Sequence, residues 1–208
     1  MKVFLVRHGQ SQDRAELKKQ SPQSPLSQTG QTQAEAVAQR LQSEKIDLII
    51  SSLFPRALQT AEFISLKMTI PVSQEQLIVE QDEPGAVGNL DLLKQYQQEE
   101  EKHYFDIDWK FKNIGESIKD VINRAVEFKG KLETKYLSKD VLLVSHGFFM
   151  RSLIAVCLLG ESCPGAIIVR FIRLGDMKNG SISELEFDET TKLWRLRYLN
   201  DHLHIKGL

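Results

Sequence analysis

The sequence has little cysteine, no excess of charge of either sign and no long apolar run. Its two cysteines among 208 residues do not suggest a disulfide framework. The formal net charge is −1, without a run of Lys and Arg, which argues against a nucleic-acid partner. The longest strongly apolar stretch, residues 152–159, is much shorter than the roughly 18 to 20 residues that span a bilayer. Residues 3–6 are too few for the core of a signal peptide, so we expect a cytoplasmic protein without a membrane partner.

The composition is that of an ordinary globular protein. Hydrophobic residues make up 41% of the chain and charged residues 26%, which excludes disordered, collagen-like and coiled-coil classes. The length fits one domain with room for an insertion. We therefore predict a single domain over residues 1–208, with a small cap-like insertion at about 81–114.

Short apolar runs that each lead into a polar cluster predict buried parallel strands. They lie at residues 3–6, 47–50 and 141–144, and a further candidate lies at 76–80. Runs without polar alternation are typical of strands that helices cover on both faces. Amphipathic segments between them have start signals at Ser27, at Pro55 and at Ser117, which forms a capping box with Asp120. The helix after His146 is apolar nearly all round, so we expect it to be central.

The last quarter of the chain favours antiparallel strands. Residues 167–174 and 181–187 read as two strands, and Asn179 with Gly180 reads as the hairpin turn between them. Residues 194–198 alternate between apolar and charged side chains, which predicts a strand with one solvated face. The fold expected is an α/β three-layer sandwich, with a mostly parallel central sheet flanked by helices and an antiparallel edge.

Histidine and arginine follow three of the predicted strands. Arg7 and His8 come directly after the first strand, His146 follows the strand at 141–144, and Arg56 lies in the first turn of the helix after 47–50. Ligands of parallel α/β sheets bind outside the carboxyl ends of the strands, so these side chains should meet. Two forked cations and two imidazoles, with helix N-termini beside them, suit a phosphate dianion.

The sequence around these residues resembles the signature of the histidine phosphatase superfamily, in its phosphoglycerate mutase-like branch. The resemblance runs through five ordered blocks, Leu5–Ser11, Pro25–Ala34, Ser51–Ala61, Gly115–Ser117 and Val144–Gly147. Leu199–Leu203 also looks like the ending of many bacterial members, so the resemblance extends over nearly the whole chain. Five blocks in this order are far more specific than the tripeptide Arg7-His8-Gly9 alone. The resemblance implies a phosphoglycerate mutase-like fold.

The same resemblance implies roles for individual residues. His8 would be the nucleophile that becomes phosphohistidine, dividing one hard transfer into two easier ones. Arg7, Arg56 and His146 would hold the nonbridging phosphate oxygens, with His146 counted among the catalytic residues. Further candidates for phosphate binding are Ser11, Arg14 and Gly147. Arg14 stands where many members have an asparagine, so it either binds substrate or is an ordinary surface arginine.

Members of this family also use a glutamate that protonates the leaving oxygen and then activates water. Glu80 is the first candidate, because it follows an apolar run and Gly88 lies at the family's usual distance beyond it. The chain departs from the family pattern nearby, where Pro84-Gly85 replaces a single glycine and residues 87–89 replace Trp-Glu-Gly. Glu83 in the same loop is the alternative acid.

Three functions remain open on the sequence. The first is a metal-independent, acid-type phosphomonoesterase that acts on a small phosphorylated metabolite and needs no cofactor. The second is a phosphoglycerate mutase, although mutases of this family are generally longer and the insertion between residues 90 and 112 is modest. The third is a catalytically weak phosphate-binding module. A homodimer is compatible with the sequence, and His202 and His204 without a supporting carboxylate do not suggest a metal site.

Overall fold

The computed structural model describes residues 1–84, 90–160 and 162–207. Its strands are β1 (Lys2–Arg7), β2 (Leu48–Ser51), β3 (Val72–Gln74), β4 (Val141–Ser145), β5 (Ile182–Asp188) and β6 (Leu193–Asp201). The helices are α1 (Gln12–Ala15), α2 (Gln28–Leu41), α3 (Pro55–Met68), α4 (Leu90–Lys102), α5 (Ile118–Glu133), α6 (Gly147–Leu159) and α7 (Gly165–Leu174). Short 3₁₀ turns occupy Gln76–Ile78, Phe111–Asn113 and Leu203–Ile205.

The strands form one sheet in the order β3-β2-β4-β1-β5-β6. The first four strands are parallel, and β5 and β6 are antiparallel to their neighbours. The mostly parallel sheet with an antiparallel edge is therefore confirmed. Among the described residues, none of the helices is long and apolar enough to cross a membrane.

Apolar side chains on the two faces of the sheet form two separate cores. Along β1, Val3 and Leu5 face a core built with α5, α6 and α7, whereas Phe4 and Val6 face a core built with α2 and α3. Successive side chains of a strand point to opposite faces, so a strand without polar alternation is buried on both sides. The three layers of the predicted sandwich follow from this pattern.

The predicted helix starts are confirmed. Ser27 accepts a hydrogen bond from the backbone N–H of Gly30, and Pro55 opens α3. Ser117 and Asp120 form the reciprocal capping box of α5. Helix α6 is buried over most of its length, in agreement with its uniformly apolar sequence.

The strand predicted at residues 167–174 and the hairpin turn after it are wrong, whereas the strands predicted at 181–187 and 194–198 are confirmed as β5 and β6. Residues 165–174 form helix α7, which buries Ile168, Val169 and Ile172 on one side. That spacing is helical, and the chance to bury this stripe against α6 overrides the β propensity of the isoleucines and valine. Asn179 and Gly180 consequently do not close a hairpin but lead from α7 into β5, with Gly180 in the left-handed region.

The strand predicted at residues 76–80 is also misplaced. The strand is β3, a few residues earlier, and it pairs only with the short β2. The side chain of Glu75 accepts a hydrogen bond from the backbone N–H of Leu77 and starts a 3₁₀ turn instead. This turn still buries Ile78, which explains the apolar run without a strand.

The predicted insertion at 81–114 contains α4 and an aromatic cluster. Tyr96 and Phe111 are buried, and the Tyr96 ring lies 5.8 Å from that of Trp109. These rings pack against one another, whereas Tyr104 and Phe105 are exposed. That residues 81–114 act as a cap stays a prediction.

Candidate active site

The carboxyl ends of β1, β2 and β4 meet at one edge of the sheet because β4 lies between the other two strands. Arg7 ends β1 and His8 follows it, His146 directly precedes α6, and Arg56 lies in the first turn of α3. A cleft of ≈ 450 Å³ is lined by Arg7, Arg56 and Gly147. The sheet topology thus brings together the side chains that the sequence placed at three separate strand ends.

His8 is almost fully buried, with 1% of its surface exposed. Its Nδ1 lies 2.6 Å from the carbonyl oxygen of Gly9, which can only accept a hydrogen bond. Nδ1 therefore carries the proton, and Nε2 accepts a hydrogen bond from Nε of Arg56 at 3.3 Å. Burial, together with the charges of Arg56 and Arg7, lowers the pKa of His8 well below its ordinary value. The result is a neutral imidazole whose Nε2 bears a lone pair.

His146 lies beside this imidazole, with a distance of 5.0 Å between the two ring centroids. Its Nε2 is 2.8 Å from the hydroxyl of Ser52, and its buried Nδ1 has no hydrogen-bond partner among the described residues. Burial is the main reason why the pKa of His146 lies well below its ordinary value. Electrostatic interactions with His8 and the nearby arginines lower it further. A buried polar atom without a protein partner is uncommon and is suited to a ligand oxygen.

Arg56 is held from two sides beside His8. Its Nη1 donates to the carbonyl of Ser21 at 2.9 Å, and its guanidinium lies 5.0 Å from the centre of the Phe54 ring. Burial lowers the pKa of Arg56 to about 10, so the side chain remains a cation at neutral pH. These contacts fix the direction of its remaining N–H donors.

Arg7 is held by a hydrogen bond to the backbone on the N-terminal side of β5. Its Nη1 donates to the carbonyl of Met177, while its buried Nε has no partner among the described residues. A Cβ at Gly147 would lie 3.4 Å from that Nε, so a larger residue would crowd the guanidinium. Gly147 therefore leaves room for the arginine, in addition to the phosphate contact predicted for it.

Glu80 lines the same cleft and caps helix α6. Its Oε2 accepts from the backbone N–H of Phe148 at 3.2 Å, and its Oε1 accepts from that of Phe149 at 3.1 Å. The charges of Arg7 and Arg56 interact favourably with this carboxylate. The carboxyl group thus lies close to both cations, at the N-terminus of the central helix.

A buttress formed by Glu116 and Arg124 holds the loop on either side of this carboxylate. Both oxygens of Glu116 accept from Arg124 at 2.8 Å, and Arg124 also donates to the carbonyl of Val79 at 3.1 Å. The backbone N–H of Asp82 donates to Glu116 at 3.1 Å. Gly115 has a φ of 70° and approaches Asp82 so closely that a Cβ would clash. The Gly-Glu-Ser block of the sequence therefore positions the candidate acid.

The other predicted residues lie in different surroundings. Ser11 is buried and accepts from the backbone of Arg14 and the side chain of Gln20, so its hydroxyl caps α1 instead of lining the cleft. Arg14 lines the cleft and is exposed. Glu83 also lines it and pairs with Lys19. Gly88 and the altered residues 85–89 lie outside the described residues.

Two side chains that were not predicted from the sequence form hydrogen bonds with the backbone of the His8 loop. Thr60 accepts a hydrogen bond from the backbone N–H of Gly9 at 3.1 Å, and Asn179 donates to the carbonyl of His8 at 3.0 Å. Thr60 belongs to a block of the family resemblance, where it could have been singled out. Asn179 was assigned to a hairpin, and no local signal links it to the first strand.

Arg151 and Arg173 also line the cleft and were not predicted. Arg151 lies four residues after Gly147, one turn along α6, so helical spacing could have found it. Arg173 belongs to the segment that was predicted as a strand. On the described residues, no group of three His, Cys, Asp or Glu side chains is arranged to hold a metal ion. His202 and His204 instead contact the backbone carbonyls of Asn200 and Gly180.

Residues 3–202 match the family model of the histidine phosphatase superfamily, branch 1. The chain belongs to this superfamily. The membership predicted from the five sequence blocks is thereby confirmed, and the matched range includes Arg7, His8, Arg56 and His146.

Known proteins of the superfamily align with almost the full length of the chain. An uncharacterized phosphatase of Bacillus subtilis, PhoE, is 28% identical over 99% of this chain and 97% of its own length. A probable phosphoglycerate mutase of Photorhabdus laumondii, GpmB, is 31% identical over 99% of this chain and 95% of its own length. The solved structure of Bacillus stearothermophilus YhfR superposes with a TM-score of 0.83 at 24% identity, covering 99% of each chain. This superposition supports the fold.

Proposed function

We propose that this protein is a metal-independent phosphomonoesterase that transfers phosphate from a small phosphorylated metabolite to water through His8. The observation that carries the proposal is the neutral His8 imidazole, whose Nε2 faces Arg56 beside His146 and Arg7. The match to the histidine phosphatase superfamily and the relative named as a phosphatase agree with this chemistry.

In the first half-reaction, Nε2 of His8 attacks phosphorus as the bond to the substrate oxygen breaks. The backbone carbonyl of Gly9 stabilises the proton on Nδ1, so the imidazole gains positive charge without losing its orientation. Arg7, Arg56 and His146 hold the nonbridging oxygens. Donors fixed before the reaction stabilise this charge without having to reorganise, which accounts for most of the rate enhancement in such sites.

Glu80 supplies the proton for the leaving oxygen. In the second half-reaction water attacks phosphohistidine, its proton passes to the Glu80 carboxylate, and His8 leaves as neutral imidazole. The helix cap holds both carboxylate oxygens near the two arginines. This placement supports Glu80 over Glu83, whose carboxylate is paired with Lys19.

An acid-type activity follows from the electrostatics of the pair of imidazoles. Because burial lowers the pKa of His8, the nucleophile stays unprotonated at pH values where a free histidine is already charged. We therefore expect turnover to persist on the acid side of neutrality.

A mutase is the second candidate, because a probable phosphoglycerate mutase is among the relatives. The chemistry of the first half-reaction is the same, and only the acceptor of the phosphoryl group differs. A mutase must keep water from the phosphohistidine while the substrate reorients.

The test is a panel of phosphomonoesters, assayed in parallel for released phosphate and for phosphate transfer between hydroxyls of phosphoglycerate. Rapid mixing with a labelled substrate, quenched in alkaline denaturant because phosphohistidine is acid-labile, should trap label on the protein. Phosphate release faster than transfer supports the phosphatase, and the opposite order supports the mutase. If no substrate is turned over but a phosphate analogue still binds, the protein is a phosphate-binding module and not a phosphatase.

A further inference from the structure

The cleft has more positive charge than a single phosphate needs. Among the described residues that line it are seven Arg and Lys side chains and four Asp and Glu side chains. A phosphomonoester dianion neutralises about two positive charges, so one cation is left over. A concave site lined with one sign of charge attracts ligands of the opposite sign. The surplus positive charge therefore favours a ligand that has a second anionic group.

Arg151 is the cation best placed to meet that group. Its side chain extends from α6 into the cleft, and its buried Nε has no hydrogen-bond partner among the described residues. The guanidinium lies 5.8 Å from the centre of the Phe148 ring, and its stem packs on Gly175, where a Cβ would come within 3.0 Å of Arg151 Cδ. The arginine is thus held between a ring and a backbone, and no acidic side chain of the described residues forms an ion pair with it.

The carboxylates around Arg151 are already engaged. Glu80 accepts two backbone N–H groups of α6, and Asp176 pairs with Lys178 at 2.9 Å. Glu100 pairs with Arg173 at 2.7 Å. Burial lowers the pKa of Arg151, while Glu80 and Asp176 oppose this shift, so the cation lies within electrostatic reach of the candidate acid. Arg151 and Glu80 line the same cleft, so one bound ligand can contact both side chains.

We propose that Arg151 binds a second anionic group of the substrate, a carboxylate or a second phosphate close to the scissile phosphoester. The inference rests on the proposed function and names the substrate class for that site. A planar guanidinium can form two parallel hydrogen bonds with either group, which gives orientation as well as charge. Substrates that lack a second anionic group would leave this half-buried cation unpaired and should react more slowly.

The experiment compares two substrates that differ in one group. 3-Phosphoglycerate has a carboxylate where glycerol 1-phosphate has a hydroxymethyl group. Wild-type protein should prefer 3-phosphoglycerate in kcat/KM, and Arg151→Gln should reduce that preference on the order of 100-fold, because a charged partner is lost. Arg151→Lys should recover part of it. A bisphosphate in the same panel separates a phosphate from a carboxylate as the preferred group.

Arg170→Gln is the matched control, since Arg170 lies on α7 outside the lining of this cleft and the substitution removes the same charge. It should leave the preference unchanged, and thermal unfolding should establish that both variants are folded. An equal loss on both substrates in Arg151→Gln would make Arg151 a positioning residue for Glu80 and overturn the inference. No preference in the wild type would overturn it as well.

Binding separates this inference from the proposed function. Dissociation constants of the two compounds are measured by calorimetry on wild-type protein and Arg151→Gln, at short times or in a His8→Ala background if turnover interferes. If no phosphoester is hydrolysed but 3-phosphoglycerate still binds more tightly through Arg151, the phosphatase proposal fails and the inference stands. If hydrolysis proceeds and neither constant depends on Arg151, the inference fails alone.

Discussion

The buried centre of the cleft and its rim differ in how their side chains are held. The centre consists of Arg7, His8, Arg56 and His146, which are anchored to strand ends or helix starts. Nε of Arg56 donates to His8, and the His8 ring lies 5.0 Å from that of His146. The rim residues Arg14, Lys18 and Asp176 are exposed. Groups that must stabilise a transition state need fixed directions, whereas groups that select a substrate can lie on loops. The difference agrees with the proposed function, in which the centre supplies the chemistry and the rim selects the substrate.

The largest effect should come from the centre. His8→Ala removes the nucleophile, and loss of a nucleophile costs on the order of 10⁶-fold in kcat in a well-studied hydrolase. We expect no labelled phosphoenzyme after alkaline quench. The exposed His202 provides the control, since His202→Ala should leave labelling intact. If the His8→Ala variant still retains label, the nucleophile is another residue, and the assignment of the chemistry to the centre of the cleft is wrong.

Glu80→Gln should have the next largest effect, and it should depend on the leaving group. General acid catalysis contributes roughly 10² to 10⁴-fold, and only where the departing oxygen is basic. Alkyl phosphates should therefore be hydrolysed far more slowly, while a nitrophenyl phosphate loses much less. The measurement is kcat/KM on both substrate types.

Glu83→Gln is the matched control for this substitution, because Glu83 lines the same cleft but pairs with Lys19. It should be nearly neutral on both substrates. If Glu83→Gln is sensitive and Glu80→Gln is silent, the acid lies on the rim, and the division between centre and rim does not hold.

Arg56→Ala should lower kcat/KM by roughly 100-fold or more, about 3 kcal/mol of transition-state stabilisation, as for other fixed charge-stabilising donors. Arg56→Lys should recover only part of this loss, since an ammonium cannot reproduce the forked donors. Arg195→Ala on the surface of β6 removes the same charge without touching the cleft. Near wild-type activity of Arg56→Ala would show that phosphate is held elsewhere.

A smaller effect is expected on stability as the pH falls. The pKa of His8 is lowered in the folded state, so below about pH 6.5 the unfolded chain binds a proton that the folded chain does not. The free energy of unfolding should therefore fall with decreasing pH, with a contribution from His8 of up to about 1.4 kcal/mol per pH unit. Urea unfolding between pH 7.5 and 5.5 measures the slope.

Replacing His8 by alanine should make this slope shallower. Identical slopes for wild type and His8→Ala would mean that the imidazole is not held neutral in the folded protein. The same comparison made with His146 would sharpen the distinction between centre and rim, because His146 is buried in the same way.

The smallest effect should be that of metal removal. In the proposed mechanism, Arg7, Arg56 and His146 neutralise the charge of the phosphate, as magnesium ions do in other phosphoryl-transfer enzymes. Activity after prolonged treatment with EDTA should match that of untreated protein. Loss of activity that one particular divalent metal restores would contradict this prediction.

Most of the parallel part of the fold could be predicted from the sequence. The apolar runs at 3–6 and 141–144 could be predicted as strands because every side chain in them is apolar, as expected of a strand that is buried on both faces. Ser27 and Ser117 identify helix starts by local hydrogen bonding. Arg7, His8, Arg56 and His146 could be expected at one edge because their strands are parallel.

Other features were decided only by tertiary contacts. The segment at 165–174 is rich in residues that favour strands, and it becomes α7 because its apolar stripe packs against α6. Asn179 meets the His8 loop through a contact that spans 171 residues. Arg151 becomes a candidate for binding an anionic group because Phe148 and Gly175 hold it in the cleft, where no acidic side chain of the described residues pairs with it.

The sequence by itself determined the buried strands β1, β2 and β4, the superfamily, and the meeting of Arg7, His8, Arg56 and His146 at one edge of the sheet. The tertiary structure decided the protonation state of His8, the position of Glu80 at the start of α6 and the surplus charge of the cleft. The physical reason is range: capping and periodicity act within a few residues, whereas burial and electrostatic interactions depend on groups distant in the chain.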